Sequence, residues 1–388
     1  MIIIDKPFVS DHVVQTILKN KFKVLKNQVS ESILNEYPEL LLSEDEAVRI
    51  FKDNLDRRIY TVSENSIEWV VKNLGFTGLP GKIDLFKNKV RFRDMTREIY
   101  PELFYSEVAA DNLKNINADN LPLPVILKPA VGFFSMGVNK INSIEDWNNV
   151  VGTVAAELER FDELYPDEVL DIKSFIIEEY IEGDEYAIDA YFNKNGEPVI
   201  LGIFKHIFSS NDDVGDRLYV TSRDIILDNL DLFTRFLKKI GTLAELKNFP
   251  LHTEVRINNS GEIVPIEINP LRFGAWCTTA DVTWFSYQMN PYEYYFSDSV
   301  PDWEKILNDR DDKVYSMIVL DNTTGVKVEK INSFDHSKLL NNFSNIMEFR
   351  EIDYKKYNVF GFVYTETRKR GGSELEWVLN SDLREFIS

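Results

Sequence analysis

Through residues 1–90, short apolar runs alternate with amphipathic stretches. Residues 1–4 read as a strand, Val13, Val14, Ile17 and Leu18 recur at helical spacing, and residues 23–25 form a second short apolar run. Residues 58–62 (RIYTV) predict another strand, followed by a helix cap at Ser63 or Ser66 and a helix over 67–74. This order of elements predicts a small parallel α/β sheet. The turn after its first strand reads Asp5-Lys6-Pro7-Phe8, without the glycines of a dinucleotide fingerprint, so a Rossmann cofactor is not supported.

From about residue 122 the texture changes to longer β-rich runs. One acidic helix is predicted over 144–164, with Trp147, Val150, Val151, Val154 and Leu158 at helical spacing. After Pro301 a charged linker (302–313) leads to the strand-like runs 315–320 and 359–367. Three units are expected: an α/β domain over 1–90, a central α+β domain over 91–300 with a lid at about 122–182, and a carboxy-terminal α+β lobe over 301–388. No repeat of fixed period is visible. The aromatics of 284–296 are expected mostly in packing, with some available to a substrate cavity.

With 388 residues, 44% hydrophobic and 28% charged, the chain has ordinary globular usage and can bury a large core. Sixty-four acidic residues against forty-four basic ones leave a net charge of −20, a field that disfavours nucleic acid and anionic membranes as partners. A polyphosphate ligand would need locally gathered cations and a divalent metal. Cys277 is the single cysteine, and Asp5 and Lys6 interrupt the opening apolar run, so the expected setting is the reducing cytoplasm.

Three segments carry candidate chemistry. The first, 252–270 (HTEVRINNSGEIVPIEINP), is two alternating runs around Asn-Ser-Gly, which predicts a β-hairpin closing near Ser260-Gly261. The matching register sets Glu254 opposite Glu267, with Asn269 on the same face and Val255, Ile257, Val264, Ile266 and Ile268 on the other. Two carboxylates held side by side call for a cation, and a hard oxygen set suits Mg²⁺. The alternative is that Arg256 and Arg272 neutralise the pair. In the second segment, 121–138, a short strand ends at Lys128 and a loop with Gly132, Ser135 and Gly137 follows; it can close over phosphates or be an ordinary turn beside a snorkelling lysine. The third, 174–192, has Glu178, Tyr180, Ile181 and Glu185 around Gly183. It reads either as a strand pair presenting donors and acceptors to a nucleoside or as two ordinary strands with solvated acids.

In order and spacing, these segments over roughly 85–275 resemble the ATP-grasp superfamily. The segment 85–94 (LFKNKVRFRD) resembles its early nucleotide-binding lysine region, and 267–275 (EINPLRFGA) resembles its metal strand and arginine loop. The resemblance implies an α/β and α+β multidomain ATP-grasp fold, with Lys89 and Lys128 on phosphates or adenine and 130–138 as a mobile phosphate loop. Glu178, Tyr180, Ile181 and Glu185 would hold the nucleoside, Glu254, Glu267 and Asn269 would hold Mg²⁺ (or Mn²⁺), and Arg272 would meet the transferred phosphate or a substrate carboxylate. Phe133 and Phe134 depart from the small residues common in that loop. The implied activity is an ATP-dependent ligase joining a carboxylate to an amine, with small molecules as partners. A phosphotransferase or a non-catalytic nucleotide-binding scaffold are the alternatives. His206 and Lys205 would lie near the phosphates, though a packed His206 is the more ordinary role. Arg217 is expected to pair with Asp212, Asp213 or Asp216, Cys277 to be a buried thiol, and the 130–138 and 211–224 loops to act as lids.

Overall fold

The computed structural model describes residues 1–132, 137–162, 171–210, 213, 215–369 and 372–388. Four two-residue strands, β1 (Ile2–Ile3), β2 (Val24–Leu25), β3 (Leu41–Leu42) and β4 (Tyr60–Thr61), form a parallel sheet in the order β3-β2-β1-β4. Helices connect them, and several start where the sequence supplies a cap. Ser10 accepts from the Val13 N–H at the start of Asp11–Asn20, whose Val13 and Ile17 are buried, and Ser63 caps the short turn ahead of Ile67–Asn73.

Four further strands, β5 (Tyr105–Ala109), β6 (Val125–Val131), β7 (Asn139–Ile141) and β8 (Asp171–Glu179), make an antiparallel sheet ordered β5-β8-β6-β7, backed by the helix Ile144–Asp162. Its own small core includes Val125, Leu127, Trp147 and Phe175.

The third sheet is the largest. It contains β9 (Asp184–Phe192), β10 (Pro198–Ile207), β11 (Leu218–Ser222), β12 (Phe249–Ile257), β13 (Ile263–Pro270), β14 (Lys313–Asp321), β15 (Ile346–Glu351) and β16 (Val359–Arg368), in the order β13-β12-β9-β10-β11-β14-β16-β15. Residues beyond Pro301 thus extend the same sheet that carries the β12–β13 hairpin. A buried clasp links three parts of the chain: Ser10 Oγ donates to Asp281 Oδ1 (3.0 Å), and the other oxygen of Asp281 takes the Arg350 guanidinium.

The β8–β9 connection is a tight hinge at Gly183, whose φ is +126°; a Cβ there would lie 2.0 Å from the Ile257 carbonyl oxygen. Gly261, in the β12–β13 turn, also has positive φ (+81°) but open space around it. Gly183→Ala is therefore expected to cost about 3 kcal/mol through a backbone clash, and Gly261→Ala only about 1 kcal/mol. Thermal melts of the two variants check the order; equal midpoints would contradict the crowding at the hinge.

Candidate active site

The predicted register holds from Leu251↔Pro270 to Glu254↔Glu267. Beyond it a β-bulge shifts the pairing by one residue, so Val255 faces Pro265 and Arg256 faces Val264. This corrects the expected aliphatic face: Val264, though buried, shares the Arg256 side, Ile266 is the extra residue in the bulge, and Val255, Ile263 and Ile268 are buried on the other side. The bulge leaves Glu254 and Glu267 paired as neighbours, each half-buried, with Asn269 Nδ2 donating to Glu267 Oε1 at 2.8 Å.

Neither arginine neutralises this pair. Arg256 turns to Glu185 Oε2 (2.9 Å) and the Ile181 carbonyl (2.6 Å), while Arg272 donates to Glu64 Oε1 (2.6 Å) and the Phe273 carbonyl (2.7 Å). Lys89 Nζ stands 3.7 Å from Glu267 Oε2, and His252 Nε2 is 3.4 Å from Glu254 Oε1. Burial and the Glu267 charge raise the Glu254 carboxyl above the usual range. For Glu267, burial acts upward but Lys89, Lys87 and Asn269 pull it below. A carboxylate pair with one member destabilised as an anion is one that a bound cation would relieve. Among the described residues no three His, Cys, Asp or Glu side chains converge on a metal-sized point. The donors available are thus two carboxylates and one amide, an all-oxygen set that fits Mg²⁺ completed by phosphate and water oxygens.

Lys89 begins the helix Lys89–Thr96, capped by Asn88, and its ammonium reaches the Gly132 carbonyl at 3.1 Å. Burial brings its pKa down to about 8, against the pull of Glu267. Gly132 thereby joins the β6 end to the hairpin. Lys128, on β6, lies 2.5 Å from Glu178 Oε1, and Arg93 Nε donates to Glu178 Oε2 at 2.8 Å. Glu178 is buried, which pushes its pKa up, but Arg93 and Lys128 more than offset this and hold it at about 2. Tyr180 and Ile181 follow as extended hinge; the Tyr180 ring lies under Lys140 and Arg256, at 4.2 and 4.8 Å. A cavity of about 480 Å³ is lined by that hinge and by Tyr100, Asn258 and Glu262.

Glu185 is held by His206 Nδ1 (2.8 Å) and Arg256, and His206 Nε2 lies 3.0 Å from the Gly215 carbonyl while its ring stacks on Tyr219. His206 is thus a packed, hydrogen-bonded residue beside the site, and Lys205 pairs with Asp184 at 2.7 Å. Arg217 corrects an expectation: it reaches Asp321 (3.2 Å), Thr323 and the Val378 carbonyl, on strand β14 and beyond, and among the described residues it pairs with neither Asp213 nor Asp216. Cys277 is buried, and burial raises its thiol to about 11. Phe133, Phe134, Ser135 and Asp212 lie outside the described residues, and with them much of both lid expectations; Gly137, with φ +69°, is described.

Five functional candidates escaped the sequence reading. Arg93 sits one helical turn after Lys89, a spacing that would have exposed it. His252 lies two residues before Glu254 on the same strand, so alternation alone puts both on one face. Its Nδ1 is 2.7 Å from Asp189 Oδ1, which also accepts from the Gly274 N–H at 3.1 Å. That chain ties the carboxylate pair to the loop bearing Arg272. Asp189 had no local signal, because its partners are distant in sequence. Glu64 and Lys87, 2.8 Å apart, complete a buried Lys87–Glu64–Arg272 bridge at the carboxyl edge of the parallel sheet, where α/β folds place ligands.

Comparison with known proteins bears on the fold that carries these residues. The family model described as the ATP-grasp domain matches residues 121–280. No curated protein sequence matches the chain. Among solved structures, an L-amino acid ligase from Bacillus licheniformis is similar over 100% of this chain and 97% of its own, with 15% identity and a TM-score of 0.65. An N5-carboxyaminoimidazole synthase from Aspergillus clavatus, in complex with ADP and 5-aminoimidazole ribonucleotide, gives 12% identity, coverage of 99% and 98%, and a TM-score of 0.63. A biotin carboxylase from Campylobacter jejuni gives 11% identity, coverage of 94% and 87%, and a TM-score of 0.61. Residues 121–280 thus match the ATP-grasp domain, and the whole chain shares the fold of these structures, with a parallel α/β unit ahead of the matched residues.

Proposed function

We propose that this protein is an ATP-dependent ligase that joins a carboxylate to an amine through an acylphosphate. The observation that carries the reading is the Glu254–Glu267 pair with Asn269, set beside Lys89 and linked through His252 and Asp189 to the Arg272 loop. Full-length similarity to an L-amino acid ligase fold supports it. In this reading 91–300 is the catalytic unit and the enzyme works on cytoplasmic ATP, with amino acids as the first substrates to try.

Mg²⁺ bound by Glu254, Glu267 and Asn269 would neutralise charge on the terminal phosphates. Lys89 and Lys128 supply two point charges to the phosphates, and Glu178 and Arg93 fix Lys128 so that little is reorganised during reaction. A substrate carboxylate oxygen attacks the γ-phosphorus as the bond to the ADP oxygen breaks. The amine then attacks the acyl carbon, loses a proton, and phosphate departs. Arg272, buried and held by Glu64, offers its remaining guanidinium face to the transferring group. Gly132, Ser135 and Gly137 give the loop that would cover the phosphates, and Tyr180, Ile181 and Glu185 border the nucleoside.

The test is a screen of amino-acid pairs with Mg-ATP that reads ADP, inorganic phosphate and product mass together. Equal ADP and phosphate with a condensed product supports ligation. A phosphorylated product points to the phosphotransferase, and no ADP with any pair points to the scaffold. Lys128→Ala is expected to raise the KM for ATP about tenfold or more, the loss of one charged phosphate contact; unchanged KM would remove Lys128 from the phosphate site.

A further inference from the structure

We propose a second ligand site, for the phosphoryl group of a small molecule, in a cavity of about 500 Å³ at the amino-terminal edge of the parallel sheet. It goes beyond the ligase reading and does not depend on it. Arg57 and Arg58 precede β4 and Lys23 precedes β2, whereas the Arg272–Glu64–Lys87 bridge follows β4. The cavity and the candidate active site therefore sit at opposite ends of the same strands.

The sign of the charge is the first observation. In a chain with a net charge of −20, this cavity is lined by Lys21, Lys23, Arg57, Arg58 and Lys194, with Asp56 as its acid. The second is how these charges are met. The Arg58 guanidinium is satisfied by Asn248 Oδ1 (3.1 Å), the Phe296 carbonyl (3.0 Å) and Asp298. Lys23 Nζ donates to the Glu39 carbonyl at 2.6 Å, a contact that leaves its charge in place. Lys21, Arg57 and Lys194 make no ion pair among the described residues. Like charges converging on one concavity focus a positive potential that an anion relieves.

The walls narrow the ligand class. The Phe22 and Phe296 rings, 4.6 Å apart and half-buried, supply apolar lining beside the cations. Lys21 is the left-handed cap of the helix Asp11–Asn20 (φ 52°), its N–H bonded to the Ile17 and Leu18 carbonyls, so the root of that side chain is fixed. The volume is in the range of small-molecule sites. An extended polyanion would meet the surrounding negative field, which leaves a compact one. Several separate ammonium and guanidinium donors suit a dianion with three or more acceptor oxygens, as a phosphoryl group has. Free phosphate and the phosphate end of a nucleotide share that chemistry.

The experiment compares wild type with the Lys21→Ala/Arg57→Ala double variant, both substitutions being exposed and outside the proposed catalytic set. Calorimetric titration with inorganic phosphate, and separately with AMP, is run at constant chloride concentration. Both proteins keep the nucleotide site, so the difference between them isolates this cavity. The expected result is a binding event in wild type that weakens about tenfold or more in the variant, with a matching loss of the phosphate-induced rise in thermal midpoint and unchanged ADP release. Weakening for both ligands with equal affinities identifies free phosphate as the occupant; markedly tighter AMP identifies a nucleotide. Identical titrations for the two proteins, or no event in wild type beyond the nucleotide site, overturn the proposal.

Discussion

Glu254→Gln protein is expected to release ADP from Mg-ATP about 100-fold more slowly than wild type or worse, while melting at the same temperature or slightly higher. The two halves of that expectation come from one geometry. Glu254 and Glu267 face each other across β12 and β13, and a like-charge pair at that spacing costs roughly 0.2–1 kcal/mol. The amide removes both the burial cost of the charge and the Glu267 repulsion that raise the Glu254 carboxyl, and it keeps an oxygen within reach of His252. What it loses is the second negative charge that would hold the cation against the phosphates. Glu267→Gln should slow turnover to a similar extent but melt lower, because Lys89 is buried and Glu267 is the carboxylate beside it. Steady-state ADP release and calorimetric melting read both halves. Full turnover in either variant would remove the pair from the metal site, and a large fall in the Glu254→Gln midpoint would mean that its charge is structural.

The β12–β13 hairpin was legible because everything that defines it is local. Alternation gives the face, Asn-Ser-Gly gives the turn, and the register from Leu251 to Glu254 follows. The bulge opposite Val255 was not legible, since a single extra residue does not disturb the composition of either run. The parallel sheet was visible for the same local reason, down to the cap at Ser63, whereas the cap at Ser10 came only from the structure. The partners of the charged residues were not. Lys128 and Glu178 were each singled out, but nothing along the chain says that β6 and β8 are neighbours and that the two side chains meet at 2.5 Å. Arg217 shows the same limit: three acids lie nearby in sequence, yet its partner is Asp321 because β11 pairs with β14. Sequence distance is a poor guide to ion pairing wherever a sheet brings remote strands together. The same physics hid Asp189, whose contacts to His252 and Gly274 come from two other segments.

Glu64→Ala is expected to destabilise the fold by about 3–5 kcal/mol, the cost of leaving buried charges without their counter-ion. Glu64 is 5% exposed and lies between Arg272 Nε at 2.6 Å and Lys87 Nζ at 2.8 Å, both themselves buried. Burial alone would raise its carboxyl, but Lys87 and Arg272 outweigh it and take the pKa from the ordinary 4.5 to about 2. A carboxylate whose folded-state pKa is depressed contributes stability above its unfolded pKa and loses it as the pH falls through the folded value. The gap corresponds to about 3 kcal/mol, full above pH 4.5 and fading toward pH 2. Urea unfolding of wild type and Glu64→Ala at neutral pH, and again in steps down through that window, should therefore show a difference that shrinks with acid. A difference that stays constant across the window would mean that Glu64 acts through packing, and that Arg272 is oriented by the Phe273 carbonyl and its own loop instead of by this bridge.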